Sequence, residues 1–334
     1  MASRTGTSGS ASESRMHLLD RFISARVSAS LFSEGWGDEA ALTGPSLMSH
    51  LCPEVRPLEV RWARPLTQGR RLVVDGFFDS PCPLLPQEVR QGHLRRISAK
   101  PGPVRGACVI LAASRDEGYF LRSWLFAPLA EQGIDVFLLE NPYYGVRRAL
   151  GQRGPHVRTV SDQLTMNLAT IEEARSFVAF AKAQGYERVA VAGYSMGGFM
   201  AALTAATLPM PVGVAALAAG ASPAPVFTRG AHSRSVNFRA LSLSTSEGEA
   251  RTRLASILDA ASARTLPPPP QPDAAVIVAC AKDGFVPLAE AQTLHAHWAG
   301  SELRILDAGH ISAVFTEGPA LRKAIRDAID RVRV

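Results

Sequence analysis

Residues 193–197, Gly193-Tyr194-Ser195-Met196-Gly197, form a G-x-S-x-G pentapeptide between an apolar run at 188–192 and a small-residue stretch at 198–206. A strand reversing sharply into a helix strains the backbone of the serine between them and excludes bulk beside it. Gly193, Gly197 and Gly198 meet that demand. Such an elbow would lift the Ser195 hydroxyl above a sheet edge as a nucleophile and turn the Met196 N–H, at the helix start, toward a developing oxyanion. A serine needs a base, and elbows of this kind take an acid and then a histidine downstream. Residues 274–281 read as a buried strand that turns out through Lys282-Asp283-Gly284, and residues 303–306 as a strand ending in Asp307-Ala308-Gly309-His310. Asp283 and His310 therefore stand at carboxyl ends of strands, where ligand-facing groups gather. The chemistry is acyl transfer: His310 takes the Ser195 proton and returns it to the leaving group, while Asp283 fixes the imidazole tautomer. Asp283 and His310 singly also suit ordinary turns, so the conjunction of three residues in order carries the reading. Asp307 is too close to His310 to face it, and Asp273 precedes its strand.

Strands and helices must alternate to hold these three residues. Residues 107–112, 134–139, 189–192 and 212–217 read as strands, with helices expected at 119–132, 160–184 and 288–298. Alternation of this kind predicts an α/β domain with a mostly parallel sheet and helices on both faces. Segments at 72–74 and 94–97, set among Pro and Gly turns, suit antiparallel strands that open the sheet. Residues 222–272 are too long for an ordinary connection and hold a helical stretch at 247–261 and a four-proline run at 267–270. An insertion there is expected to cap the site, with Phe227 among its apolar surface. Residues 1–15 are Ser-, Gly- and Thr-rich and expected to be a disordered tail, ahead of one domain over 16–334. Residues 16–33 carry Leu19, Phe22, Ile23, Val27 and Leu31 at helical spacing, an amphipathic helix for packing on the body or resting on a membrane surface.

The chain has 334 residues and a formal net charge of +6. Its arginines are scattered, with no aromatic-interleaved basic stripe, so no nucleic-acid partner is indicated. Contact with an acidic membrane surface or acyl carrier stays open. No run reaches the roughly 18 apolar residues of a membrane helix, and no secretory signal opens the chain. Cys52, Cys82, Cys108 and Cys280 lack paired spacing, which suggests reduced thiols and a cytoplasmic location. His295 and His297, two apart on an expected helix, point to different sides and share an ion poorly, and no Walker or dinucleotide loop occurs. Neither a metal nor a cofactor is expected. Nothing in the sequence sets the oligomeric state.

Glu140-Asn141-Pro142-Tyr143-Tyr144-Gly145, Ser195-Met196-Gly197-Gly198, Val226-Phe227-Thr228 and Gly309-His310-Ile311-Ser312-Ala313 together resemble the α/β-hydrolase domain-containing protein 18 family. Gly35-Trp36-Gly37 and Val74-Asp75-Gly76-Phe77-Phe78-Asp79-Ser80-Pro81 extend the likeness over most of the chain. The resemblance implies an α/β-hydrolase fold with Ser195, Asp283 and His310 at the catalytic positions, and implies little about substrate. The loop after the first core strand reads Ala113-Ser114-Arg115-Asp116, with Arg115 where a smaller residue, typically glycine, is expected. That loop should supply the second oxyanion N–H, from Ser114 or Arg115. The block at 141–144 leaves a strand on the same edge as Ser195, so Tyr143 and Tyr144 line an acyl pocket with Asn141 holding the loop, or else pack beneath the cap. The expected activity is hydrolysis of an acyl ester, with a lipid-like acyl group favoured. A thioesterase or amidase with the same three residues, and a non-catalytic binding protein on this fold, are the alternatives.

Overall fold

The computed structural model describes residues 16–25, 28–43, 47–99 and 104–334. The tail expected at 1–15 lies outside the described residues, as does Val27. A ten-stranded sheet organises the chain. Its opening strands are β1 (Arg61–Trp62), β2 (Leu66–Gln68), β3 (Arg71–Asp79) and β4 (Gln91–Ala99). The core strands are β5 (Gly106–Leu111), β6 (Ile134–Leu139), β7 (Val189–Tyr194), β8 (Gly213–Leu217), β9 (Ala275–Cys280) and β10 (Glu302–Leu306). The order runs β1-β3-β4-β6-β5-β7-β8-β9-β10, with β2 paired to β3. Pairing is antiparallel from β1 to the β4–β6 junction and parallel from β6 through β10.

Every residue of β5 to β9 is buried, as continuous apolar runs covered on both faces require. The two-residue period sorts their side chains into two cores. Val109, Val191, Val214 and Ile277 meet α4 (Val160–Ala183), α5 (Met196–Ala206) and α9 (Leu288–His297) on one face. Ile110, Ala190, Val276 and Val278 meet α3 (Phe120–Phe126) and α11 (Gly318–Asp330) on the other. The helix expected at 119–132 is α-helical only to Phe126 and continues as a 3-10 segment, Ala127–Gln132. Pro128 lacks the N–H that a further α turn would use.

Between β8 and β9 the chain leaves the sheet for α6 (Ala224–Thr228), α7 (Phe238–Leu241) and α8 (Glu247–Ala260). Ser246 and Glu249 close a reciprocal capping box at the start of α8. Phe227, Phe238, Leu241, Leu254 and Leu258 build a separate core there with Leu31, Phe32, Val160 and Leu164. The insertion thus shares one apolar core with the N-terminal segment and the first turns of α4.

The helix expected over 16–33 is much shorter. The N-terminal helix α1 spans Leu18–Ser24, a short α2 spans Glu39–Thr43, and Leu31 between them bridges Val236 in parallel. α1 also turns polar groups inward. Its buried residues are Asp20 and Ser24, and of the expected stripe Phe22 is 56% exposed, whereas Leu19 and Ile23 are half-buried, with Ile23 lining the cavity at Ser195. The reason is hydrogen bonding, which the site itself makes plain.

Candidate active site

Ser195 follows β7 and caps α5 with φ 55° and ψ −120°, a conformation that costs energy in a non-glycine residue. Its neighbours are glycines by necessity. A β-carbon on Gly193 would strike the Gly197 backbone, one on Gly197 the Leu111 carbonyl, and one on Gly198 the Gly193 carbonyl. The strand-to-helix reversal read from the pentapeptide is therefore present in form.

His310 opens the helix α10 (His310–Thr316) on the loop after β10, and its Nε2 lies 2.9 Å from Ser195 Oγ. Its Nδ1 lies 2.7 Å from Asp283 Oδ2, on the loop after β9. The other Asp283 oxygen accepts the N–H groups of Phe285 and Val286 at 2.7 and 2.8 Å, which fixes the carboxylate in its own turn. The Phe285 and Tyr194 rings stand 5.1 and 5.3 Å from the imidazole, and Tyr194 donates its hydroxyl to the His310 carbonyl at 2.5 Å. Burial by itself would depress the His310 pKa. The adjacent Asp283 charge and hydrogen bond, with Asp20 adding to them, hold it above the ordinary histidine value.

Asp20 had no place in the sequence reading. It is fully buried, and its carboxylate accepts the His310 N–H at 2.7 Å, the Ile311 N–H at 2.9 Å and the Gly284 N–H at 3.2 Å. One side chain thereby ties together the loops that carry Asp283 and His310. This is what turns the polar side of α1 inward. No local period could have signalled it, because the partners lie some 260 to 290 positions along the chain.

The loop at 113–118 carries the two further oxyanion candidates. The Arg115 N–H donates to the Tyr144 hydroxyl at 3.1 Å, and Arg115 itself adopts φ 68°. Ser114 and Met196 both line the cavity at Ser195, and their N–H groups find no acceptor among the described residues. The loop is braced from behind by Arg122, which pairs with Asp116 at 2.8 Å and Glu140 at 3.2 Å. Burial outweighs the Arg122 charge at Glu140 and pushes its carboxyl up to about 7.

A cavity of about 290 Å³ opens at Ser195, between the strand ends and the cap. Phe227, Leu258, Phe199, Val286 and Ile311 supply apolar wall, and Arg115, Gln163, Asn167 and His232 supply polar groups. Asn141, Tyr143 and Tyr144 do not line the cavity, a correction to the pocket read from their block. They are 1%, 4% and 2% exposed, and both tyrosines pack with Leu85, Val89 and Met166. The buried Arg147–Glu173 pair, with Arg147 also donating to the Glu140 carbonyl at 2.7 Å, draws that segment inward. Tyr144 meets the site from behind, through its bond to the Arg115 N–H and a side-chain hydrogen bond with Ser114.

All four cysteines are free thiols, and no three His, Cys, Asp or Glu side chains gather as metal ligands among the described residues. His295 Nδ1 lies 2.9 Å from Ser301 Oγ, and His297 Nε2 lies 2.9 Å from the Leu266 carbonyl. No helix among the described residues is long and apolar enough to cross a membrane.

A mostly parallel sheet flanked by helices, a cap after β8, and serine, aspartate and histidine meeting at the strand ends define the α/β-hydrolase fold. The family model for Alpha/beta hydrolase domain containing 18 matches residues 29–267 and 243–331, and the chain belongs to that family. Among solved structures it is similar in fold to the acetyl xylan esterase from Paenibacillus sp. R4, with a TM-score of 0.58 at 16% identity, over 84% of this chain and 92% of that one. It is similar also to acetyl xylan esterase 1 from Thermoanaerobacterium sp. JW/SL YS485, with a TM-score of 0.54 at 14% identity, over 92% of this chain and 99% of that one.

Proposed function

We propose that the protein is a serine hydrolase that cleaves a carboxylic ester through an acyl-enzyme on Ser195. The observation that carries this reading is the unbroken line from Ser195 Oγ to His310 Nε2 and from His310 Nδ1 to Asp283, at 2.9 and 2.7 Å. In the first half-reaction Ser195 Oγ attacks the ester carbon while His310 Nε2 takes its proton. The carbonyl electron pair moves to an oxyanion held by the Met196 and Ser114 N–H groups. Collapse breaks the bond to the alcohol, which leaves with the proton from His310. Water then repeats the sequence, giving its proton to His310 and its oxygen to the acyl group, and Ser195 Oγ departs reprotonated. Asp283 keeps Nδ1 protonated throughout and balances the transient imidazolium.

The esterase names of the two fold relatives favour ester substrates as the first to try. Thioesters and amides would engage the same residues and differ in the leaving group, so they form the comparison arms. The cap over the cavity supports an acyl group that enters beneath Phe227 and Leu258. A panel of 4-nitrophenyl esters, acyl thioesters and anilides, run with wild type and Ser195→Ala, tests the reading. The expected result is ester turnover that falls by ~10⁴-fold or more in the variant. Faster turnover of thioesters or anilides would reassign the leaving group, and equal rates for the two proteins would overturn the mechanism.

A further inference from the structure

The cavity wall holds a cation with no counter-ion among the described residues. Arg115 lines the cavity beside Ser195, and its Nε and Nη2 atoms are buried without a hydrogen-bond partner among the described residues. Burial lowers its pKa, with only the Tyr144 hydroxyl opposing. The nearby carboxylates are engaged elsewhere. Asp116 pairs with Arg122, and Glu117 pairs with Arg148. The residue as a whole is half-buried, but the edge that carries Nε and Nη2 is shut off from solvent, and a desolvated guanidinium edge is costly unless an anion meets it.

A second unsatisfied group faces the same space. His232, from the cap, is 8% exposed and lines the cavity, with its Nε2 buried and unpartnered among the described residues. Its ring stands edge-on to Phe227 at 5.1 Å. Burial, with the charges of Arg115 and His310, depresses its pKa to about 3, so His232 is neutral at physiological pH and offers a hydrogen bond without charge. Two elements far apart in the chain, the loop after β5 and the cap, thus each leave a buried polar nitrogen unpaired beside one nucleophile.

We propose that Arg115 and His232 form a carboxylate subsite, so that the preferred substrate is an ester carrying a free carboxylate. The inference deepens the ester-hydrolase reading and rests on it. Nε and Nη2 are the two donors on one edge of the guanidinium, spaced to meet both oxygens of a single carboxylate. One guanidinium and a neutral imidazole balance one negative charge, which suits a carboxylate better than a phosphate dianion. The apolar residues of the same cavity, Phe227, Leu258 and Val286 among them, would take the methylenes that separate the carboxylate from the ester.

Two esters of equal chain length test this: 4-nitrophenyl octanoate and the mono-4-nitrophenyl ester of suberic acid, in which a carboxylate replaces the terminal methyl. Wild type should favour the half-ester in kcat/KM by about tenfold or more, the range of one charge-assisted hydrogen-bonded pair. Arg115→Met should cut that preference by about tenfold or more, and His232→Leu by a smaller factor. Because the Arg115 Nε and Nη2 atoms have no partner among the described residues, Arg115→Met should melt at or above the wild-type temperature. A preference for the neutral ester, a ratio unchanged in Arg115→Met, or a large loss of melting temperature in that variant would overturn the subsite. A stronger preference for an ω-phosphate ester would overturn the carboxylate assignment. Should Arg115→Met not fold, Arg115→Gln replaces it in the same ratio. Calorimetry of free suberate with Ser195→Ala reads the subsite without turnover. Binding there, weakened about tenfold by adding Arg115→Met, would sustain the subsite even if no ester were hydrolysed, and absence of binding would count against it.

Discussion

At the residue scale, the three expected reacting groups were legible because each has a local signature. Ser195 has its glycines, and Asp283 and His310 each end an apolar strand. The tyrosine block misled because the strand ending at Leu139 sets where a segment emerges and not which way its side chains turn. Tyr143 and Tyr144 turn inward with the segment that Arg147 and Glu173 anchor, a pair joined across 26 positions. The His310 environment sets a pH prediction. His310 accepts a proton only when neutral, and its pKa is held above the ordinary value by Asp283. Activity should therefore be lost as pH falls through an apparent pKa above about 6.5. Asp283→Asn removes both the charge and the tautomer control, so turnover should drop by ~10⁴-fold, by analogy with the serine protease case, and the residual acid limb should move to lower pH. A drop under about tenfold would mean that another carboxylate orients the histidine.

At the element scale, the order and type of the core strands and helices were readable from period and length. Residues 134–139 and 160–183 matched to within a residue. α1 was misread in its length and in its polar side, because three backbone N–H groups from remote loops recruit Asp20 into the interior beside a stripe of which Leu19 and Ile23 are half-buried. Asp20→Asn keeps the shape but loses the charge and one acceptor oxygen. The loosened loops should lower kcat about 10- to 100-fold with KM little changed. The loss of Asp20 charge should also move the His310 acid limb to lower pH. A purely structural role would lower the melting temperature and leave the pH profile of the folded fraction in place. The cap makes its own prediction. Replacing residues 222–272 with a short Gly-Ser linker should preserve cleavage of a small activated ester while raising KM for long acyl esters. Unchanged chain-length selectivity in a folded variant would recast the insertion as an interaction surface.

At the scale of the whole molecule, the fold is what binds these parts into one site. Ser195 follows β7, Asp283 β9 and His310 β10, and the loop at 113–118 follows β5, so parallel strands bring four remote segments to one edge. Alternation of strands and helices made that edge readable, but the contacts across it were not. They depend on how Asp20, Tyr144 and His232 fold back from segments whose own sequences carry no sign of their partners. The central claim is that this edge activates Ser195. The most direct measurement is labelling by a fluorophosphonate probe, which phosphonylates a serine only where a base activates it. Wild type should label at Ser195, identified by mass spectrometry of the modified peptide, and folded Ser195→Ala should not. A wild type that stays unlabelled where a known serine hydrolase reacts, or a Ser195→Ala protein that still labels, would contradict the account.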